Sequence, residues 1–504
     1  MCALVRAEAG PIVKTDTGAL AGGVDARTQV AVFKGVPFAA PPVGELRWRE
    51  PQPVQPWSGV RDATKFGPSP MQRVHGDFLP WTVEYLVENE VSEDCLYLNV
   101  WTPRAEAAAK LPVLVYIPGG AFWEGSGAIR IYDGASLARR GAVVVTINYR
   151  LGAFGFFAHP ELTKESPRRS SGNYGLMDQL AALRWVQRNI AAFGGDPSRV
   201  TAWGQSAGAF SVGALLASRE SQGLFQRAIA DSGLSLAALP MRDLRAAEQD
   251  GAAYASELGA TGLAALRVLP AERFLGANRF RPIVDGWLLS AAPNAVNTRR
   301  GGVDVPVLTG YQANDALMSL PRLKSADEYD AYLNKTYGED MAAGFKRLYP
   351  ADTVAQMQQA LLEGARERQK VAAFLWARER HAGYTAPVYT YFFTRGVPWP
   401  QHPEYGAFHS GELPYFFDNL HVLDRPWEEI DRDLAAMTSR YLVNFAAKGD
   451  PNAEGLPEWP KVEATTPVTL DLGTEIAPRP VAEPKRFDFW ARYFEQQAAR
   501  APVF

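Results

Sequence analysis

Short apolar runs separated by Gly- and Pro-rich breaks recur along this chain, and their periods alternate between those of strands and helices. LPVLVYI at 111–117 and the apolar core of GAVVVTINYRLGAFGFF at 141–157 read as buried strands. SEDCLYLNVWTP at 92–103 places Leu96, Leu98 and Val100 at alternate positions, the pattern of a half-buried strand. Residues 172–200 carry a helical period that stops at Gly194-Gly195. RVTAW at 199–203 predicts a strand, and the small aliphatic run from Ala207 to Ala217 a buried helix. Further strands are expected within 225–233, 303–318 and 386–395. Such alternation with short connections predicts an α/β chain built on a mostly parallel sheet.

Other stretches fill in around that sheet. Residues 10–35 break into β-prone pieces between Gly turns, a small antiparallel meander. The three prolines within 35–48 preclude regular structure there. Helix-like text dominates about 236–300 and 320–384, and the second stretch is amphipathic, as a covering layer would be. No internal repeat, low-complexity tract or linker divides the 504 residues.

Composition narrows the function classes. With 47% hydrophobic and 21% charged residues and a formal net charge of −3, the chain has a sizeable core and no basic surface for nucleic acid. Its two cysteines, Cys2 and Cys95, form no metal-spaced cluster, so neither a zinc site nor a disulfide framework is expected. No apolar run reaches membrane-spanning length. The chain is therefore expected to be soluble; Met1 to Gly10 is too short and charged for an intact signal peptide, and the compartment stays open between cytoplasmic and exported with a signal removed. Monomer and dimer both remain open.

Chemistry is concentrated where Gly204, Gln205, Ser206, Ala207 and Gly208 spell Gly-x-Ser-x-Gly between the predicted strand and helix. A serine in so sharp a turn stands clear of the sheet, and the two glycines leave room for the backbones on either side. The N–H of Ala207 then points to where negative charge would develop on a substrate oxygen. Pro118-Gly119-Gly120-Ala121 ends the strand at 111–117 in a Gly-rich bend, which can offer further backbone donors. A nucleophilic serine needs a base oriented by an acid. Of the six histidines, His409 follows the last strong strand in a Gly-containing loop. Asp315 sits just after VPVLTG, at the same kind of strand end. Asp304 precedes that strand, on the opposite side of the sheet, and Asp285 is a weaker rival.

Blocks spread over about 10–495 resemble signatures of the type-B carboxylesterase/cholinesterase family of α/β-hydrolases, in family order. They include FKGVPFAAPPVGELRW, SEDCLYLNVWTP, INYRLGAFGF, GNYGLMDQ, FGGDPSRVTAWGQSAGA, GAFHSGELPYFF and FAAKGDPN. In style the chain is similar to bacterial members acting on p-nitrobenzyl esters. The resemblance implies one α/β-hydrolase domain over 1–504, with the helix-rich insertions covering the active site. Carboxylic esters, small molecules, would be cleaved through an acyl-enzyme, with no metal or organic cofactor. It further implies Ser206 as nucleophile, Asp315 as acid, His409 as general base and acid, and the N–H groups of Gly120, Ala121 and Ala207 as oxyanion hole. Ser232 is expected to hydrogen-bond near the triad, as a similarly placed family serine does. Gln205, Phe122, Trp123, Trp81, Tyr85, Tyr311 and Trp287 are candidate pocket walls.

Four positions depart from the family pattern. Asp315 stands where Glu is usual, so its loop must approach His409 more closely. Pro118 replaces a histidine before the oxyanion glycines. Pro70 replaces a cysteine, which leaves Cys95 without its usual disulfide partner. Gln205 replaces Glu beside the serine, removing an anion that would favour cationic choline esters. Alternative readings are a recognition protein that keeps the fold without catalysis, and an amidase or carbamate hydrolase using the same residues.

Overall fold

The computed structural model of the chain describes residues 10–236 and 241–500. Its framework is an 11-stranded sheet. In chain order the strands are β1 (Gly23–Val24), β2 (Ala31–Pro37), β3 (Tyr97–Thr102), β4 (Leu111–Ile117), β5 (Val143–Ile147) and β6 (Gly195–Gln205). They continue with β7 (Arg227–Asp231), β8 (Val307–Gln312), β9 (Val388–Phe393), β10 (Val468–Leu472) and β11 (Ile476–Pro480). In space the order is β1-β2-β3-β5-β4-β6-β7-β8-β9-β10-β11. From β5 to β10 every neighbouring pair is parallel. Antiparallel strands close both ends, with β3 on β5 and β11 on β10.

Both sheet faces are buried, which is why β4 and β5 read as continuous apolar runs. Val113, Val115 and Ile117 join one core cluster, whereas Leu114 and Tyr116 join the other. Helices α1 (Tyr174–Asn189) and α2 (Ala207–Ala217) pack into the first cluster through Leu180, Leu183, Val212 and Leu216. A later helix, α4 (Glu429–Lys448), packs into the second through Leu434, Tyr441 and Phe445. Within α2 only Phe210 is not fully buried, so its small residues are what a helix pressed directly against the sheet requires. Between them, α3 (Val354–Gly383) opens on a capping box at Thr353 and Gln356 and lies against β8 and β9.

The expected meander divides into two structures. Ile12–Lys14, Ala19–Ala21 and Val60–Asp62 make a separate three-stranded sheet, while β1 and β2 extend the edge of the large one. The expected half-buried strand at 92–103 is instead buried on both faces, because β2 and β5 flank β3 and core lies above and below it. Strand β10 has only a short apolar run and β11 carries two prolines, signals too weak to be read in sequence. Cys95 is a buried free thiol; Cys2 lies outside the described residues.

Candidate active site

Ser206 occupies the step between β6 and α2 with φ 55° and ψ −121°. A non-glycine residue holds such a conformation only where its surroundings enforce it. Its N–H donates to the carbonyl of Asp231 at 2.8 Å, and its carbonyl accepts from Phe210 N–H at 2.9 Å. The flanking glycines are dictated by space. A Cβ on Gly204 would lie 2.4 Å from the backbone of Gly208, and one on Gly208 would lie 2.0 Å from the carbonyl oxygen of Ile117.

Beyond β4 the chain passes over this serine. A Cβ on Gly119 would lie 3.1 Å from the Ser206 Cβ. Three consecutive residues, Gly120, Ala121 and Phe122, then take positive φ of 107°, 54° and 71°. The turn is closed by Trp123 and Glu124, whose N–H groups donate to the Gly120 carbonyl at 3.1 and 2.9 Å. Among the described residues the N–H groups of Gly120 and Ala121 make no hydrogen bond. Ala207, as the first residue of α2, has no intrahelical acceptor for its N–H.

Asp315 and His409 meet across two loops that are fastened to each other. The Asn314 N–H donates to the Ala407 carbonyl at 2.9 Å, and its side chain donates to the Tyr405 carbonyl at 2.9 Å. Arg366 of α3 donates to the carbonyl of Ala313 and to the Asn314 side chain. Gly406, at φ 53°, has no Cβ to keep Asn314 away. These bonds hold the Asp315 loop against the His409 loop. His409 Nδ1 lies 3.1 Å from Asp315 Oδ1. The other carboxylate oxygen of Asp315 accepts from the Ser232 hydroxyl, which also lies beside Gln312 Oε1. Ser232 is itself at φ 58°, with its N–H donating to Gly310 at 2.8 Å. Burial disfavours the His409 imidazolium, but the Asp315 charge and hydrogen bond outweigh it and hold the pKa above the ordinary histidine value.

On its other side His409 meets Gln205, whose Nε2 lies 3.2 Å from His409 Nε2. Trp81 stands edge-on to the imidazole, with ring centres 6.4 Å apart, and stacks on Phe78. Beneath lie two fully buried acids. Asp231 accepts from Trp203 Nε1 and Tyr391 OH, and burial lifts its pKa to about 7. Among the described residues neither carboxyl oxygen of Glu412 has a hydrogen-bond partner, and burial, then the charge of Asp231, push its pKa far up.

Ser206, Gln205, His409, Gly119, Gly120 and Ala121 open into a cavity of about 540 Å³. Of the expected walls, Trp81, Tyr85 and Trp123 line it with Gln205. Phe122, Tyr311 and Trp287 do not. Phe122 turns into the core against Phe156. Tyr311 is buried within β8, and Trp287 lies under Arg168 away from the cavity. Among the described residues none from the helix-rich stretches lines this cavity, whose wall draws instead on the segment from Gln72 to Val87. A smaller adjoining cavity takes Phe274 to Asn278 from the first of them. Arg73, Val74, His75, Phe78, Glu124, Ile129 and Tyr132 were not legible as walls, because the loop-like text before Cys95 carries no period that places it.

The rival candidates have structural work elsewhere. Asp285 accepts from Ser170 and the Leu289 N–H, and Asp304 from Thr385 and Ala386. His159 caps a short helix, and His402 pairs with Glu404 at 3.2 Å. Among the described residues no group of acids, histidines and cysteines is arranged to hold a metal ion, and no helix is long and apolar enough to cross a membrane.

A parallel sheet that gathers a strained serine, a histidine with its acid and a loop of backbone donors along one rim defines an α/β-hydrolase. The chain belongs to the carboxylesterase family, whose profile matches residues 9–490. It is 38% identical to the fumonisin B1 esterase of Sphingopyxis macrogoltabida over 92% of this chain and 86% of that protein. It is 35% identical to the para-nitrobenzyl esterase of Bacillus subtilis (strain 168) over 92% and 95% of the two chains. A solved PNB esterase superposes with a TM-score of 0.80 at 34% identity, covering 95% of this chain and 99% of that one. The protein is a carboxylic ester hydrolase.

Proposed function

We propose that Ser206, His409 and Asp315 hydrolyse small-molecule carboxylic esters through an acyl-enzyme, with the N–H groups of Gly120, Ala121 and Ala207 as the oxyanion hole. The observation that carries this reading is the 3.1 Å contact between His409 Nδ1 and Asp315 beside a serine at φ 55° on the same cavity. Asp315 holds the Nδ1 proton, which leaves Nε2 as the basic nitrogen facing the cavity. His409 takes the Ser206 proton as Oγ attacks the ester carbonyl. The resulting oxyanion meets the three donors, and His409 passes the proton to the departing alcohol. Water then repeats the sequence on the acyl-enzyme. The identity to a para-nitrobenzyl esterase and a fumonisin B1 esterase supports an ester rather than an amide as the working substrate class.

The test is an ester panel run on the wild type and Ser206→Ala, with a fluorophosphonate probe. The wild type should turn over p-nitrophenyl esters and take up the probe at Ser206. Ser206→Ala should lose several orders of magnitude of kcat. Retention of more than about a tenth of the activity would remove Ser206 from the mechanism.

A further inference from the structure

The upper wall of the cavity carries a cation that the ester chemistry above does not use. Arg73 lines both the 540 Å³ cavity and the adjoining one of about 160 Å³. Among the described residues its guanidinium has no carboxylate partner and no hydrogen bond. Its side chain is exposed, but the backbone beneath it is anchored. Gln72, buried next to it, donates to the carbonyls of Pro70 and Gly125 at 2.9 Å and accepts from the Gly125 N–H at 2.8 Å. That clamp ties the base of Arg73 to the end of the loop that begins at Gly119. At its far end the guanidinium rests on Gly276, where a Cβ would lie 2.6 Å from Nη2.

One acid shares the walls of both cavities with this cation. Glu124, the acid on the cavity wall, is already paired with His75 at 3.3 Å, and burial pushes its carboxyl up despite that partner. A second arginine, Arg281, lies 4.9 Å over the ring of Trp123, another wall residue, and among the described residues has no acid partner either. Beside the serine stands the neutral Gln205. An anion entering the cavity therefore meets a planar double donor suited to a carboxylate, and no charge on the residue beside the serine.

We infer that the enzyme selects esters bearing a second, free carboxylate, which Arg73 holds while the scissile carbonyl lies at Ser206. The inference rests on the proposed hydrolysis at Ser206 and names its substrate class. The carboxylate can belong to the acyl part or to the alcohol, and both serve the same guanidinium.

Two matched pairs of substrates test it. The first is p-nitrophenyl hydrogen adipate against p-nitrophenyl methyl adipate, read by released p-nitrophenolate. The second is 4-carboxyphenyl butanoate against its methyl ester, read by released phenol. In each pair the ratio of kcat/KM, free acid over capped, is measured for wild type, Arg73→Ala and Arg73→Lys. In at least one pair the ratio should fall fivefold or more in Arg73→Ala, recover in part in Arg73→Lys, and shrink with added salt in the wild type. The pair that responds locates the carboxylate. A fall of less than fivefold in both pairs overturns the inference. Because a ratio is read, a general loss of folded enzyme cancels. If both capped esters are hydrolysed by wild type and not by Ser206→Ala while the ratios stay fixed, only the selectivity fails. If Ser206→Ala stays active, the proposed mechanism fails first.

Discussion

Gln205 and His409 are 204 positions apart in sequence, yet their side chains meet at 3.2 Å, amide nitrogen to imidazole Nε2. With Asp315 on Nδ1, the contact has the amide N–H donating to a neutral imidazole. The nitrogen proposed as general base is thus unprotonated, with its one lone pair engaged by Gln205 until Ser206 Oγ displaces the amide.

A carboxylate in place of that amide would stabilise the imidazolium instead. Gln205→Glu should move the acid limb of kcat/KM to higher pH. It should also raise the preference for a choline ester over a neutral ester of the same acid by roughly tenfold. A pH profile with both substrates checks the two effects together. An unmoved acid limb would show that the 3.2 Å contact has no electrostatic consequence.

In the wild type, activity should fall on acidification with a midpoint above the ordinary histidine value of about 6.5. The sign follows from Asp315, which favours the charged ring, so that His409 gains its proton earlier as pH drops. A midpoint well below 6.5 would mean that burial, not Asp315, dominates.

Removing the acid should be costly. Asp315→Asn is expected to lower kcat by a factor on the order of 10⁴, because an amide favours the wrong imidazole tautomer. Ser232→Ala should cost far less, since it leaves the Asp315 and His409 contact in place. Steady-state kinetics of the two variants should rank them in that order.

Asp231 offers a measurement independent of catalysis. Its buried carboxyl has a pKa of about 7 against about 3.8 when unfolded, so the native state binds more protons between these values. Stability contributed by this group is complete below about pH 4 and lost as pH rises towards 7. Asp231→Asn should flatten that slope in the unfolding free energy, and an unchanged slope would assign it to other groups.

Space should be less forgiving than charge. Gly208→Ala places a methyl 2.0 Å from the Ile117 carbonyl oxygen, so β4 and α2 must separate. We expect a loss of about 3 kcal/mol or more, visible as a large drop in Tm.

Strands with two buried faces, and the helix of small residues after Ser206, announced themselves by composition because burial constrains every position. Ser206, Asp315 and His409 were legible for a related reason, since each follows an apolar run at a strand end. The cavity wall from Gln72 to Val87 was not. Its residues are positioned by single long-range bonds, such as Gln72 to Gly125 and Trp81 to Ser410, which leave no periodic trace. Likewise Phe122 looked like a wall beside the oxyanion loop, but its φ of 71° turns the side chain into the core.

Gly119, Gln205, Ser232, Asp315 and His409 come from five separate stretches that meet only where the ends of neighbouring parallel strands line up. A partly folded chain, whatever its helix content, has no place where these five residues coincide. Covalent capture of the fluorophosphonate at Ser206 would therefore count fully assembled molecules one by one. On the proposed mechanism, Ser206 is thus a built-in gauge of folding yield for this chain.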